Sequence, residues 1–302
     1  MLRVLFPSQP FDPRAIDPDF ERERVACRNA GLSAALVDHT GAVRGDVEAA
    51  VSAVTAGSGL GVYRGWMLRP AQYAALYTAL ERRGVRLIND VDAYTFCHQL
   101  PTAYATLEGH TPRSVWLDVQ GDVDFGRVHE LLRPFGAAPL IVKDFVKSQK
   151  HYWKDACFIP SASDRAAVEA VTRRFLELQG EDLNEGLVFR EFVSLCSIGT
   201  HPKSQMPLGA ELRSFWLDGD LLLLHPYWAD VAVDRPPDPP LAWMKDIAAR
   251  IPSRLFTMDV ALLADGTWAV MELGDGQVAG LPSDELLAPF YEGLRERVGR
   301  AR

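Results

Sequence analysis

Apolar residues along the chain fall into short blocks alternating with stretches of helical period. LRVLF (2–6) and LSAALV (32–37) read as strands, and 18–30 between them has helical spacing that stops at Gly31. A third strand is expected over 60–63. Pro70 then opens a helix over 70–83, in which Tyr73, Leu76, Tyr77 and Leu80 recur at i, i+3, i+4 and i+7 and define one apolar face. Gly84 ends this helix and VRLI (85–88) resumes a strand. Such alternation predicts a parallel α/β layer and a small α/β lobe over residues 1–112.

The pattern changes from 113 onward. SVWLDV (114–119), PLIVKDF (139–145) and LVFREFVSL (187–195) are strand-like. A helix over 162–179 separates the last two, with Ser161 and Asp164 in capping-box spacing and Gly180 at its end. LRSFWLDGDLLLLHPYW (212–228) and FTMDVALLADGTWAVMEL (256–273) each carry an Asp-Gly hairpin signal, at Asp218-Gly219 and Asp265-Gly266. RPPDPP (235–240) reads as a stiff loop before a helix at 241–250. Residues 113–302 are therefore expected to be α+β with antiparallel hairpins, so the fold class is α/β and α+β.

Composition adds exclusions. The 302 residues are 48% apolar and 24% charged, which rules out a disordered or collagen-like chain. The net charge of −8 argues against nucleic acid or a membrane surface as a broad partner, since both need a basic field. No apolar run reaches the roughly 18 residues needed to span a bilayer. The first twenty residues lack the basic start and long apolar middle of a signal peptide. Cys27, Cys97, Cys157 and Cys196 lie in separate segments, which fits free thiols. A soluble cytoplasmic protein is expected.

Phosphate-loop, nucleophile-elbow and zinc-helix signatures are absent from the sequence. Gly57-Ser58-Gly59-Leu60-Gly61 precedes a strand and opens no helix, so it reads as a loop and not as a dinucleotide turn. Lys143 closes an apolar strand, and a lysine there needs an anion unless it guards a sheet edge. Lys147, Ser148 and Lys150 follow it. Glu191 is likewise a charge among apolar neighbours, and Glu211 and Arg213 share one strand face as a possible surface pair. With a turn centred between Asp265 and Gly266, Asp259 and Glu272 fall directly opposite each other on antiparallel strands. Like charges so placed suit either a solvated acidic edge or a hard divalent cation between them, with Asp275 as a further oxygen; phosphate and water would complete a Mg²⁺ shell.

Taken in order, these residues resemble the ATP-grasp superfamily. Tyr63-Arg64-Gly65-Trp66, Lys143-Asp144-Phe145-Val146-Lys147-Ser148, Phe189-Arg190-Glu191 and Glu272-Leu273-Gly274-Asp275-Gly276 resemble the clade named for two arginines and one lysine. The resemblance implies an ATP-grasp fold over 113–302 preceded by a pre-ATP-grasp lobe over 1–112. It implies ATP on Lys143, Lys147, Ser148 and Arg213, with adenine at the hinge Glu191-Phe192-Val193. It also implies Mg²⁺ on Asp259, Glu272 and Asp275, catalytic roles for Lys147 and Arg213, and substrate contacts from Arg64, Trp66 and His151. Gly274 departs from the family's Glu-x-Asn, and no glycine-rich phosphate loop follows Lys143, so Lys147, Ser148 and Lys150 would replace its donors. The implied partners are ATP and a carboxylate with its amine or similar nucleophile, joined through an acylphosphate. A phosphotransferase, or a non-catalytic ATP-binding module, would use the same residues.

Overall fold

The computed structural model describes residues 2–200, 207–228, 237–281 and 283–300. The first sheet holds β1 (Leu2–Gln9), β2 (Asp12–Ile16), β3 (Ser33–Val37), β4 (Gly59–Tyr63) and β5 (Val85–Leu87). Strands β3, β1, β4 and β5 lie side by side and parallel, while β2 folds back antiparallel on the end of β1. Helices Glu21–Asn29 and Pro70–Arg82 are the expected crossovers. Gly31 and Gly84, at φ 77° and 81°, take the left-handed conformation that ends each one. Two short helices, His39–Arg44 and Val47–Ala50, fill the connection from β3 to β4, and Asp38 caps the first by accepting from Gly41 N.

Strands β6 (Ser114–Asp118), β7 (Leu140–Asp144), β8 (Phe158–Ile159) and β9 (Gly186–Glu191) form an antiparallel sheet in the order β6-β9-β7-β8. Helix Arg165–Gln179 covers it through Val168, Val171 and Phe175. That helix starts three residues later than its sequence suggests. Asp164 alone caps it, accepting from Ala167 N at 3.0 Å, while Ser161 pairs with Ser163, so no capping box forms. Strand β9 ends at Glu191: Phe192 N still donates to Pro139 O, but Pro139 has no N–H to return the bond and the ladder stops.

A ribbon of β10 (Ser197–Thr200) and β11 (Pro207–Gly209) leads to the third sheet. This sheet comprises β12 (Glu211–Leu217), β13 (Asp220–Pro226), β14 (Leu255–Leu262) and β15 (Trp268–Asp275), in the order β13-β12-β14-β15. Asp218 and Gly219 both have positive φ, 51° and 81°, as a tight two-residue hairpin turn requires. Residues 235–236 of the proline-rich loop lie outside the described residues, and helix Leu241–Ala248 follows it.

The second hairpin is built differently from its sequence signal. Leu263 N donates to Thr267 O and Gly266 N to Leu263 O, so the turn is wider than a two-residue Asp-Gly turn. Near it the ladder pairs Leu262 with Trp268, one residue out of the expected register. A bulge at Met271 restores that register, and Asp259 does face Glu272.

One face of the third sheet packs on helix Leu241–Ala248 through Trp216, Phe256, Met258 and Val260. The opposite face joins the parallel sheet. Phe215, Leu217 and Leu255 share a core with Val4, Phe6 and Val62 and with Phe290, Tyr291 and Leu294 of the C-terminal helix Leu287–Arg300. Helices Val91–His98 and Leu100–Leu107 pack against β15. No helix among the described residues is long and apolar enough to cross a membrane.

Candidate functional site

Arg213 on β12, Asp259 on β14 and Glu272 on β15 are successive cross-strand partners and form one charged row. The Arg213 guanidinium donates to both Asp259 oxygens, at 2.9 and 2.7 Å, and lies over the Tyr227 ring. Burial opposes charge on both partners. It raises the pKa of Asp259 despite Arg213, whereas on Arg213 the carboxylate outweighs burial and holds the pKa up. Glu211 does not form the surface pair with Arg213; its Oε1 accepts from Trp228 Nε1.

Lys143 completes the row from the second sheet. Its Nζ donates to Glu272 Oε1 at 3.3 Å and to Val146 O at 3.0 Å, and the residue is only 8% exposed, which excludes an edge-guarding role. Burial alone would raise the pKa of Glu272, but Lys143, Lys150 and Arg213 outweigh it and the carboxyl is held low. Lys150, exposed at the start of the turn Lys150–Tyr152, is held protonated against its own desolvation by Glu272, Tyr227, Glu211 and Asp259.

Asp144 organises the turn after Lys143, a role its sequence position did not reveal. Fully buried, it accepts from Val146 N and Lys147 N through Oδ1, and from Gln179 Nε2 and Asn184 through Oδ2. Its signal was an Asx-type turn, a strand-end aspartate with backbone donors two and three residues on. The turn leaves Lys147 exposed and Ser148 partly so.

Glu191 pairs with Leu140, three residues along β7 from Lys143, or ~10 Å at strand spacing. It meets Arg113 at 3.4 Å. Phe192 packs edge-on against Phe158 and Trp153, and Val193 begins the irregular chain beyond.

Two implied roles are corrected. Arg64 is 1% exposed and spent on structure: Nε and Nη2 clasp Glu23, both at 2.8 Å, and Nη1 donates to the carbonyls of Gly276, Gln277 and Ala279. Its guanidinium also lies over the Phe290 ring, and these contacts commit it to the fold. Asp275 is fully buried on the strand face opposite Glu272, where Asn89 and Gln277 donate to it. Burial pushes its pKa up to about 6. It is not a metal ligand beside Asp259.

Trp66 is half-exposed, and its Nε1 donates to Asp17 at 2.8 Å. Tyr63 OH meets His39 Nδ1 at 3.0 Å and donates to Trp66 O. Asp17, His39, Tyr63 and Trp66 thus gather where β1, β3 and β4 end, the rim at which parallel α/β sheets take ligands. His151 is exposed on the turn after Lys150. Two further buried groups were given no role from the sequence: His98, which it never raised, and Arg190, which it quoted only as part of a motif. His98 lines a small pocket together with Lys143 and Glu272. Arg190 donates to Thr111 Oγ1, Val270 O and Met271 O, and so clasps the β15 bulge.

Among the described residues no three of His, Cys, Asp and Glu converge as a metal-ligand set. Asp259 and Glu272 nevertheless offer hard oxygens from facing positions, a donor set that fits a Mg²⁺ completed by phosphate and water. The four cysteines are free thiols; Cys27, Cys97 and Cys157 are buried.

Two sheets flanking a lysine–carboxylate row, behind a small parallel lobe, define an ATP-grasp protein. Residues 134–294 match the ATP-grasp domain of the third family in the clade named for two arginines and one lysine, and the chain belongs to that family. Among solved structures it is similar to D-cycloserine synthetase DcsG, with 18% identity and a TM-score of 0.60, covering 98% of this chain and 99% of that one. The ATP-grasp ligase PsnB complexed with minimal precursor, Mg and ADP gives 16% and 0.56, with 99% and 98% covered. D-alanine–D-alanine ligase from Bacillus anthracis complexed with ATP gives 15% and 0.56, with 100% and 99% covered. No curated protein matches in sequence.

Proposed function

We propose that this chain is an ATP- and Mg²⁺-dependent ligase that joins a carboxylate to an amine or similar nucleophile through an acylphosphate. The observation that carries the reading is the row Arg213–Asp259–Glu272–Lys143, in which two facing carboxylates are flanked by a cation at each end, across two sheets. Membership of the ATP-grasp family and likeness to ligases crystallised with ATP, or with Mg and ADP, support it. In this reading residues 1–112 are the pre-ATP-grasp lobe and 113–302 the ATP-grasp domain of a soluble, cytoplasmic enzyme.

Lys143, Lys147 and Ser148 hold the phosphates, and adenine sits at Glu191, Phe192 and Val193. Arg213 offers Nη1, since Nε and Nη2 are taken by Asp259. Asp259 and Glu272 would hold Mg²⁺, which would supply positive charge against the ATP phosphates. A substrate carboxylate oxygen attacks the γ-phosphorus as the bond to ADP breaks, with Lys147 and Arg213 facing the transferred group. The amine lone pair then attacks the acyl carbon, phosphate leaves and the amine loses a proton. Trp66 and His151 are the exposed candidates for substrate contact.

Hydroxylamine tests this without knowledge of the natural nucleophile, because it converts an acylphosphate to a hydroxamate. With Mg·ATP and a panel of amino acids and short peptides, the expected products are ADP, phosphate and a hydroxamate. A stable phosphorylated acceptor would replace ligation by phosphotransfer, and ATP binding without turnover would leave a binding module.

A further inference from the structure

Strand alternation places Thr257, Asp259, Glu272 and Gly274 on one face of the third sheet, with Thr257 paired to Gly274 as Asp259 is to Glu272. Along this face the apolar residues Phe215 and Leu255 give way to Thr257 and then to the charged row. Thr257 is 3% exposed; its hydroxyl has no hydrogen-bond partner among the described residues, yet it is not one of the fully enclosed polar atoms, so it keeps some access to the cleft. A hydroxyl that reaches a cleft and is used by no protein group has its lone pairs free for an incoming ligand. Its direction is fixed by its neighbour: a Cβ on Gly274 would lie 2.6 Å from Thr257 Oγ1, so the hydroxyl points across the strands into space that only glycine leaves free.

We propose that Thr257 Oγ1 is a third protein oxygen for the divalent cation held by Asp259 and Glu272, and that Gly274 is kept side-chain-free to admit it. This rests on the two-carboxylate site proposed above. A neutral hydroxyl is a hard donor suited to Mg²⁺, and it adds an oxygen without another negative charge beside Asp259. The oxygen that β15 lacks at position 274 would thus come from β14.

The probe is Mn²⁺, followed by the electron paramagnetic resonance signal of the free ion, in the full chain saturated with AMP-PNP. Thr257→Val keeps the shape and removes the oxygen, so Mn²⁺ affinity should fall about tenfold or more. Thr257→Ser should stay close to wild type. Gly274→Asn alone should bind poorly because its Cβ meets Oγ1, and Thr257→Ala with Gly274→Asn should recover affinity by supplying the oxygen from β15. Wild-type affinity in Thr257→Val overturns the hydroxyl's role. Glu272→Gln separates the two ideas: if it weakens Mn²⁺ binding while Thr257→Val does not, only the hydroxyl is wrong. If Glu272→Gln also binds as wild type, the carboxylate site falls, and the proposal with it.

Discussion

Lys143 on β7 reaches Glu272 on β15 across 3.3 Å, so a single ion pair ties together the two sheets that flank the site. Both carboxylates of the row already have a cation, Lys143 for Glu272 and Arg213 for Asp259. A metal ion and phosphates entering here would exchange partners with existing charges; they would not fill an uncompensated acidic hole. The arrangement keeps the empty site folded, because Asp259, whose side chain is 5% exposed, would be strongly unfavourable at that depth without Arg213.

Lys143→Met follows from that exchange. The aliphatic stem is retained, and Glu272, whose side chain is 42% exposed, can be hydrated when its partner is lost. The fold should survive with little change in Tm, while nucleotide affinity drops by roughly 2–4 kcal/mol, the scale of truncating one member of a desolvated charge pair. Melting with and without Mg·ATP checks it: an unchanged ATP-induced shift would remove Lys143 from the phosphate site.

Arg64→Met should behave in the opposite way. Its guanidinium is the buried counter-ion of Glu23, and Tyr291 OH also donates to that carboxylate. Removing it leaves a buried charge and three carbonyls unpaired, for a cost of about 3–5 kcal/mol. Tm should fall by several degrees, and the protein that remains folded should bind Mg·ATP with wild-type affinity. A selective loss of substrate binding at unchanged Tm would restore the substrate role that the sequence implied.

Arg190 sets the position of Glu272 without touching the cleft. Its guanidinium is buried with no carboxylate at hydrogen-bonding distance, a condition that lowers its pKa to about 10. Its bonds to Val270 O and Met271 O hold the bulge that turns Glu272 toward Asp259. Arg190→Gln should cost about 1–3 kcal/mol of stability from unsatisfied carbonyls. It should also weaken Mg·ATP binding in calorimetry, which a purely structural residue remote from Glu272 would not do.

The facing of Asp259 and Glu272 was legible because both lie on strands with clear apolar alternation around an Asp-Gly signal. The route to that register was not, since the wider turn and the bulge at Met271 offset each other and the bulge depends on Arg190, eighty-one residues away. Arg64 was misread for the same reason. Glu23 lies 41 residues before it and the carbonyls it bonds lie more than 200 residues after it, distances at which no local pattern carries information. Asp275 was misplaced by counting positions along the chain instead of strand faces, because three residues from Glu272 is an odd step. Helix Val91–His98 went unread although Asp90 caps it by accepting from Ala93 N. With it went His98, a titratable group that lines the pocket beside Lys143 and Glu272.

His98 and Asp275 predict opposing pH dependences in one window. Burial, reinforced by Lys147, lowers the His98 pKa from 6.5 to about 4. The unfolded chain therefore binds the extra proton between these values, and His98 makes stability rise as pH climbs from about 4 to 6.5. Burial raises Asp275 from 3.8 to about 6, so here the folded chain binds the extra proton and stability falls over nearly the same range. Each shift is worth roughly 3 kcal/mol, and together they largely cancel. Single variants should unmask them. Relative to wild type, His98→Gln should gain about 3 kcal/mol as pH drops from 7 to 4, and Asp275→Asn should lose a similar amount. Urea unfolding at four pH values measures both, with the constant cost of lost contacts separated as a pH-independent offset. Curves parallel to wild type in both variants would mean that neither group is held in its less favoured charge state by the fold.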